Sequence, residues 1–401
     1  MNYWWILYIF DGILFFFVAL TVLYVLFFSI ASLFYRRHDI VKSKRLSRFI
    51  VIIPSYKQDK TIFHTVNSVL SQSYSQRLFD VVVISDHQSE MTNMKLAQCP
   101  ITLLTPDFER SSKAKSMQLA FLNLPQFKIY DAVLILDSGN VIEPEFLEHA
   151  NDAFNSAGTK AIQFHRISKN RDTSVARLDT IFEEINNAIF RRGQNVVGLS
   201  AALNGSGMVY DFEWFKEHIM KVHTTGEDKE LEALLLREGL YIDFFDDLHI
   251  FDEKTRTSSE FNDQRGRWAA TQLHALISNL RFLPSALIAH KYDYVNKILQ
   301  WMLVPRTILM GLLITMGCLL PFIYFTLVIK WWVATAVLLF AFSMATPDHL
   351  VDKNWDKDFT YAPILILCGL FNIVRVAITE IGSRIGSTKK MLHRTFSKQK
   401  K

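Results

Sequence analysis

The sequence predicts an α/β domain built on a mostly parallel sheet, joined at both ends to transmembrane and interfacial α-helices. Three observations predict this class. The first 35 residues are nearly all apolar, short β-branched runs alternate with helical stretches through the middle, and long apolar blocks return after residue 306. At 401 residues the chain accommodates one domain of roughly 250 residues plus several membrane segments. Its 32 phenylalanines and 50% hydrophobic content exceed what an ordinary soluble domain needs and suit lipid-facing surfaces. The net charge of +5 is small and sits beside the apolar segments, which argues against nucleic acid as a partner, since that would need a basic face on the folded domain. Cys99, Cys318 and Cys368 are scattered and two lie in apolar sequence, so neither a disulfide framework nor a zinc site is expected.

Residues 4–35 carry a single charge, Asp11, and about 20 apolar residues suffice to cross the hydrocarbon core. The span is expected near residues 12–34, in a first segment at 1–36. A cleaved leader would have a shorter apolar core, preceded by positive charge and followed by small residues, and this stretch has none of those marks. Arg36, Arg37, Lys42, Lys44, Arg45 and Arg48 follow directly, and by the positive-inside rule they put the next domain in the cytoplasm. A second apolar block at 306–346 has a polar break at Lys330, with Trp331 and Trp332 suited to the far turn of a hairpin crossing twice. A third block, residues 361–379, contains Asn372 and Arg375, and the tail behind it is basic and expected in the cytoplasm. Two cytoplasmic flanks require an even number of crossings between them, so 347–401 is read as an interfacial or re-entrant helix with its arginine snorkelling, followed by the tail, the alternative being one further crossing elsewhere. The expected location is a cell inner membrane or plasma membrane, multi-pass, with the middle domain cytoplasmic.

From residue 37 to 262 the pattern is that of βαβ units. Residues 49–53 form a continuous β-branched run closed by Pro54, as for a buried parallel strand, and residues 61–71 read as the helix behind it. Residues 81–84 and 101–104 are further strands, 111–122 a helix, and 132–136 a buried strand ending at Asp137. Ligands of open α/β sheets sit outside the carboxyl ends of the strands, which is where Asp86 and Asp137 fall. Either one alone is more often a turn former. No glycine-rich phosphate loop follows the first strand, so a Rossmann dehydrogenase or P-loop enzyme is disfavoured.

Several segments, taken in order, resemble the family-two glycosyltransferases, especially the membrane-bound branch of cellulose, chitin and hyaluronan synthases. Ile-Ile-Pro-Ser-Tyr at 52–56, with Pro54 and Tyr56, is similar to the family's first strand and turn, and Ile-Ser-Asp at 84–86 to the acidic end of its second. Lys113 matches the lysine beside the nucleotide diphosphate. Leu-Asp-Ser-Gly-Asn at 136–140 stands where the family has its D-x-D metal motif, Asn-Gly-Ser-Gly-Met at 204–208 resembles the acceptor-side loop, and Gly-Glu-Asp at 226–228 the catalytic acidic motif. Gln264, Arg267 and Trp268 reproduce Q-x-x-R-W in a segment of interfacial helices at 263–305. The resemblance runs from about residue 49 to 268 and implies a GT-A-type nucleotide-sugar-binding domain. One departure matters: the second acid of D-x-D is Gly139, leaving Asp137 and Asn140 as oxygen donors for the Mg2+ or Mn2+ that the resemblance implies.

Transfer from a nucleotide sugar needs a stabilised diphosphate, a base for the acceptor hydroxyl and exclusion of water. On the resemblance, Lys113, Arg267 and a metal at Asp137 neutralise the departing diphosphate, Asp86 holds the nucleoside, and Asp228 is the general base of an inverting reaction. Without it, Glu227 and Asp228 read as first-turn acids complementing a helix dipole, and Trp268 and Arg267 as membrane anchors. Trp268 offers an aromatic face to a sugar ring, and Gln264 and Arg267 reach toward phosphate. His165 and His87 are expected to be structural. The function expected is transfer from a nucleotide sugar, a UDP-sugar in the first instance, to a growing polysaccharide or glycan, with a further oligomer or export partner for so few membrane segments. The alternatives are a non-processive transferase acting on a lipid-linked acceptor, and a catalytically silent scaffold, suggested by Gly139.

Overall fold

A computed structural model of the chain describes residues 4–125, 127–322 and 325–351. It opens with α1 (Trp4–Ser32), 29 residues that are apolar on almost every side. An extended link then leads into the sheet. Strands β1 (Phe49–Tyr56), β2 (Phe79–Asp86), β3 (Thr102–Leu104) and β4 (Ala132–Ile135) lie in the order β3-β2-β1-β4, all parallel. Phe49, Val51 and Ile53 of β1 enter one apolar cluster, and Ile50 and Ile52 enter another. Burial on both faces is why this strand reads as a continuous apolar run. The faces are covered by α2 (Ile62–Leu70) on one side and by α4 (Lys113–Leu122) on the other, with the short α3 (Glu90–Leu96) following β2.

Pro54 does not close β1, contrary to expectation: the strand runs two residues further, to Tyr56. Lys57 N–H donates to Asp86 O, and Leu136 N–H to Ile52 O, so the even-numbered residues of β1 face β4. Pairing with β4 ends at Ile52, opposite Ile135. Pro54 therefore faces a side with no ladder left, and its missing N–H removes no bond.

The second half of the sheet is mixed. Strands β5 (Val141–Ile142), β6 (Ala161–Ser168), β7 (Met208–Asp211) and β8 (Ile242–Asp252) extend the order to β3-β2-β1-β4-β7-β6-β8-β5. β7 runs antiparallel to β4 and β6, β6 and β8 are parallel, and β5 is antiparallel to β8. Helix α5 (Phe146–Ala157) packs on the α2 side, and α6 (Ser174–Asn187) continues through a π-helical turn, Ala188–Arg192, into the one-turn α7 (Gly193–Val196). A Cβ on Gly193 would lie 2.4 Å from the carbonyl oxygen of Phe28 in α1, so only glycine permits this contact of the α/β domain with the first helix.

The remaining helices are α8 (Phe212–Ile219), α9 (Glu227–Glu238), α10 (Ser258–Asn279), α11 (Leu283–Ile288), α12 (Tyr292–Met302), α13 (Arg306–Leu319) and α14 (Phe325–Ala345). Among the described residues two helices are long and apolar enough to cross a membrane, Tyr8–Ser32 and Phe325–Ala345, while Ile308–Phe322 is shorter. The turn of the expected hairpin is not at Lys330–Trp332. Lys330 and Trp331 lie inside α14, and the helical chain breaks before it, at the 3-10 turn Leu320–Phe322 that contains Pro321. Lys330 is tolerated because its ammonium pairs with Asp11 of α1, while Trp331 Nε1 donates to the other Asp11 oxygen at 2.9 Å. The apolar block at 361–379 and the basic tail lie outside the described residues.

Candidate active site

The carboxyl ends of β1 and β2 open into a cavity of about 560 Å³ lined by Pro54, Tyr56, Asp86, His87, Lys113 and the loop before α4. Asp86 is 1% exposed, and its Oδ1 lies 2.5 Å from His87 Nδ1. The chain leaves both strands in the left-handed region, at Lys57 (φ 51°) and His87 (φ 55°). Non-glycine residues seldom adopt that conformation, and such strain clusters where a site is being shaped. His87 thus lines the cavity and contacts Asp86, which the expectation of a purely structural role misses. His165 is structural as expected, set between Glu184 (2.8 Å) and Asp246 (3.1 Å); burial opposes its charge, but those two carboxylates push it up to about 9.

Lys113 is the first residue of α4, whose Ser112 cap accepts from Lys115 N–H. A helix N-terminus is an unfavourable place for a cation. It is held there by Asp137 and by the carbonyl of Gly205, which accepts at 2.6 Å, with Glu227 3.8 Å away. Burial pulls the Lys113 ammonium down, but Asp137, Glu227 and Asp228 outweigh it and raise its pKa, so it stays charged. Burial in turn pushes Glu227 up to about 7, with Lys113 opposing and Asp228 reinforcing the rise. Asp228 is more open, its side chain 17% exposed and 3.7 Å from Lys229. A Cβ built on Gly205 would stand 4.0 Å from both Asp228 Oδ2 and Lys113 Nζ, so one loop touches both. Three segments distant in sequence therefore converge on the ammonium group carried by a fourth.

The turn after β4 explains the missing second acid. Gly139 has φ +128°, a conformation that a side chain strains, and its N–H donates to Thr65 Oγ1 at 2.8 Å. Asn140 does not serve as the spare oxygen donor expected of it. It is fully buried; its Oδ1 accepts from Asp137 N–H (2.9 Å) and from Ser206 Oγ, and its Nδ2 donates to Asp252 (2.9 Å). Among the described residues no group of three or more His, Cys, Asp or Glu could hold a metal ion. Asp137, with 39% of its side chain exposed, is the one motif carboxylate able to offer an oxygen. That fits an ion held mainly by a substrate diphosphate, as magnesium commonly is.

Behind these loops lies a charged network that the sequence did not single out. Glu183 of α6 binds Arg166 (3.1 Å), Lys254 (3.1 Å) and Asn204 Nδ2 (2.7 Å), and Asp252 binds Lys254 (3.1 Å). Burial pushes the Glu183 carboxyl up, but Arg166 and Lys254 override it and hold it well below its usual range. Through Asn204 and Asp252 the network fixes both the 204–207 loop and the Asp137–Asn140 turn. No periodicity marks such charges in advance.

Gln264, Arg267 and Trp268 all lie on α10, but the structure does not bring them into the Lys113 cluster. Arg267 is exposed, and its guanidinium makes no hydrogen bond or ion pair among the described residues. Gln264 is half-buried with Oε1 unpartnered, and Trp268 lines a separate cavity, its ring 4.5 Å from the guanidinium of Arg265.

A family profile described as "Glycosyltransferase like family 2" matches residues 47–271, more than half of the chain. Hyaluronan synthase of Streptococcus pyogenes is 25% identical over 170 residues, a stretch that covers 40% of this chain and 39% of the synthase. The chain thus spans well under half the length of that relative. Among solved structures, the mannosyltransferase PcManGT of Pyrobaculum calidifontis, in complex with GDP-Man and Mn2+, superposes with a TM-score of 0.52 at 15% identity, covering 89% of this chain and 99% of that one. The fold shared is the GT-A glycosyltransferase fold.

Proposed function

The chain belongs to the glycosyltransferase family 2 group, and we propose that it is an inverting transferase that moves a sugar from a nucleotide sugar, a UDP-sugar in the first instance, to a glycan acceptor at the cytoplasmic membrane face. The observation that carries this reading is the convergence of Lys113, Asp137, Glu227 and Asp228 beside a cavity at the strand ends. Asp86 binds the nucleoside beneath Pro54 and Tyr56, and Lys113 turns from Asp137 to the diphosphate, where a fixed cation stabilises the charge that develops on departure. Asp137 would hold Mg2+ or Mn2+, whose chemistry when bound is to neutralise charge on that diphosphate.

Asp228 takes the proton of the acceptor hydroxyl as its oxygen bonds to the anomeric carbon. The bond from that carbon to the diphosphate breaks on the opposite face, and the nucleoside diphosphate leaves with the electron pair. Glu227 keeps Lys113 in place. Arg267, exposed in this state, contributes to the diphosphate only if α10 shifts when donor binds, and Gln264 and Trp268 lie toward the acceptor.

The architecture we assign is an anchor helix at 1–36, the GT-A domain at 37–262, interfacial helices at 263–305, a hairpin at 306–346, and an interfacial segment and tail at 347–401. Exposed Leu273, Ile277, Leu287, Ile288 and Tyr292 support an interfacial position for α10–α12. The second reading is a lipid-linked acceptor, with a separate partner or an oligomer for any export. The test is the anomeric configuration of the product, read by proton NMR from an α-linked UDP- or GDP-sugar. A β-linked product supports inversion, and an α-linked product contradicts the assignment of Asp228.

A further inference from the structure

A second cavity, of about 160 Å³, lies between α6, α10, α12 and the start of α13, lined by Phe182, Trp268, Arg265, Gln300 and Arg306 among others. Three buried polar atoms on its lining residues have no hydrogen-bond partner: Arg265 Nε, Gln300 Nε2 and Arg306 Nη1. All three are N–H donors. An oxyanion satisfies such donors without bringing a donor of its own that would need a partner, whereas a sugar hydroxyl brings one.

The charges agree. The Arg265 side chain is 10% exposed and pairs with Asp179 at 2.5 Å. Arg306 makes no ion pair among the described residues; its Nη2 donates to Asn186 Oδ1 at 2.5 Å and to Phe182 O at 3.4 Å. A guanidinium held without a counter-charge is costly unless an anion joins it, and Arg offers the fork that phosphate oxygens fit.

The helices that line the cavity also reach the Lys113 cluster from their other faces. Thr271, one helical turn beyond Trp268 on α10, packs against Gly226, the residue before Glu227 and Asp228. On the other wall, Phe182 is followed by Glu183, which holds Asn204 of the loop beside Lys113. Arg306 begins an apolar helix, and Leu303, Val304 and Pro305 complete that side. A ligand here has its charged group by the arginines and an apolar portion alongside the membrane helices.

We propose that this cavity binds the phosphate of a lipid-borne acceptor, with Arg306, Arg265 and Gln300 as its donors and Trp268 as its aromatic wall. The assignment rests on the transferase reading and names its acceptor class. The test uses the full-length protein in dodecyl maltoside, with thermal unfolding and equilibrium binding measured against a polyprenyl monophosphate, the corresponding polyprenol, inorganic phosphate and a glucuronate-bearing oligosaccharide. Expected are saturable binding and a rise in Tm with polyprenyl phosphate, none with polyprenol, and a loss of affinity of tenfold or more in Arg306→Gln and in Gln300→Leu. Arg306→Lys, which keeps the charge without the fork, should fall between. Equal binding of polyprenol, affinity unchanged in the variants, or binding of the glucuronate oligosaccharide or inorganic phosphate alone would overturn the proposal. UDP and GDP binding, followed in parallel, separates the two readings: absence of both in the wild type sinks the transferase, whereas the presence of either without lipid-phosphate binding sinks only this site.

Discussion

Lys113 and Glu227 illustrate how much of the site depends on one buried pair. Glu227 is 6% exposed with a carboxyl pushed up to about 7, above its ordinary value of 4.5. A folded pKa raised in this way contributes stability below pH 4.5 that is lost as pH rises through 7. Glu227→Gln, which stays neutral, should therefore gain stability relative to wild type as pH rises from 6 to 8, by on the order of 1 kcal/mol. Equal Tm differences at both pH values would refute the assignment. At Gly139 the prediction concerns the missing acid: Gly139→Asp imposes a side chain at φ +128° and should cost about 1–3 kcal/mol, without tightening Mn2+ binding in a titration. Tighter binding would mean that the turn relaxes. Lys113, Asp137 and Asp228 were legible as residues because motif order marks them, whereas the commitment of Asn140 to Ser206 and Asp252 was not, since an asparagine beside an acid looks the same whether its oxygen is free or used.

Among the elements, α1 and α14 owe their pairing to Asp11, Lys330 and Trp331. Removing one partner of a buried ion pair leaves the other uncompensated, typically at about 3–5 kcal/mol. Asp11→Asn and Lys330→Met should each lower the Tm in detergent, and the double variant should lose less than the sum. Additive losses would show that the two residues do not act as a pair. Hydropathy misplaced the hairpin turn for the same reason: along a sequence Lys330 looks like a break, because its partner is in another helix. The strands were read more faithfully. Their two-sided burial leaves a local trace in Val and Ile, while the extension of β1 past Pro54 depends on where β4 stops, which is not local information.

At the scale of the whole molecule, the parallel half of the sheet and its strand-end acids were legible, and the antiparallel β7, the inner strand β8 and the edge strand β5 were not assigned. Those strands pair with segments far away in sequence, and β8 carries acidic residues that hide its period. The position of α10 is the other global result, since it sets Trp268 one turn from the contact of Thr271 with Gly226 but leaves Arg267 in solvent. Closure on the donor, if it recruits Arg267, should appear as Arg267→Ala raising the KM for the donor at least tenfold while UDP alone binds as in wild type. An unchanged KM would remove Arg267 from the site.

Asp228 as the base is tested most directly by nucleotide release by purified full-length protein from UDP- and GDP-sugars, with Mg2+ or Mn2+ and then with chelator, compared between wild type and Asp228→Asn. Wild type is expected to release the nucleotide, and Asp228→Asn to lose at least a hundredfold with nucleotide affinity retained. Turnover surviving in Asp228→Asn would contradict that role.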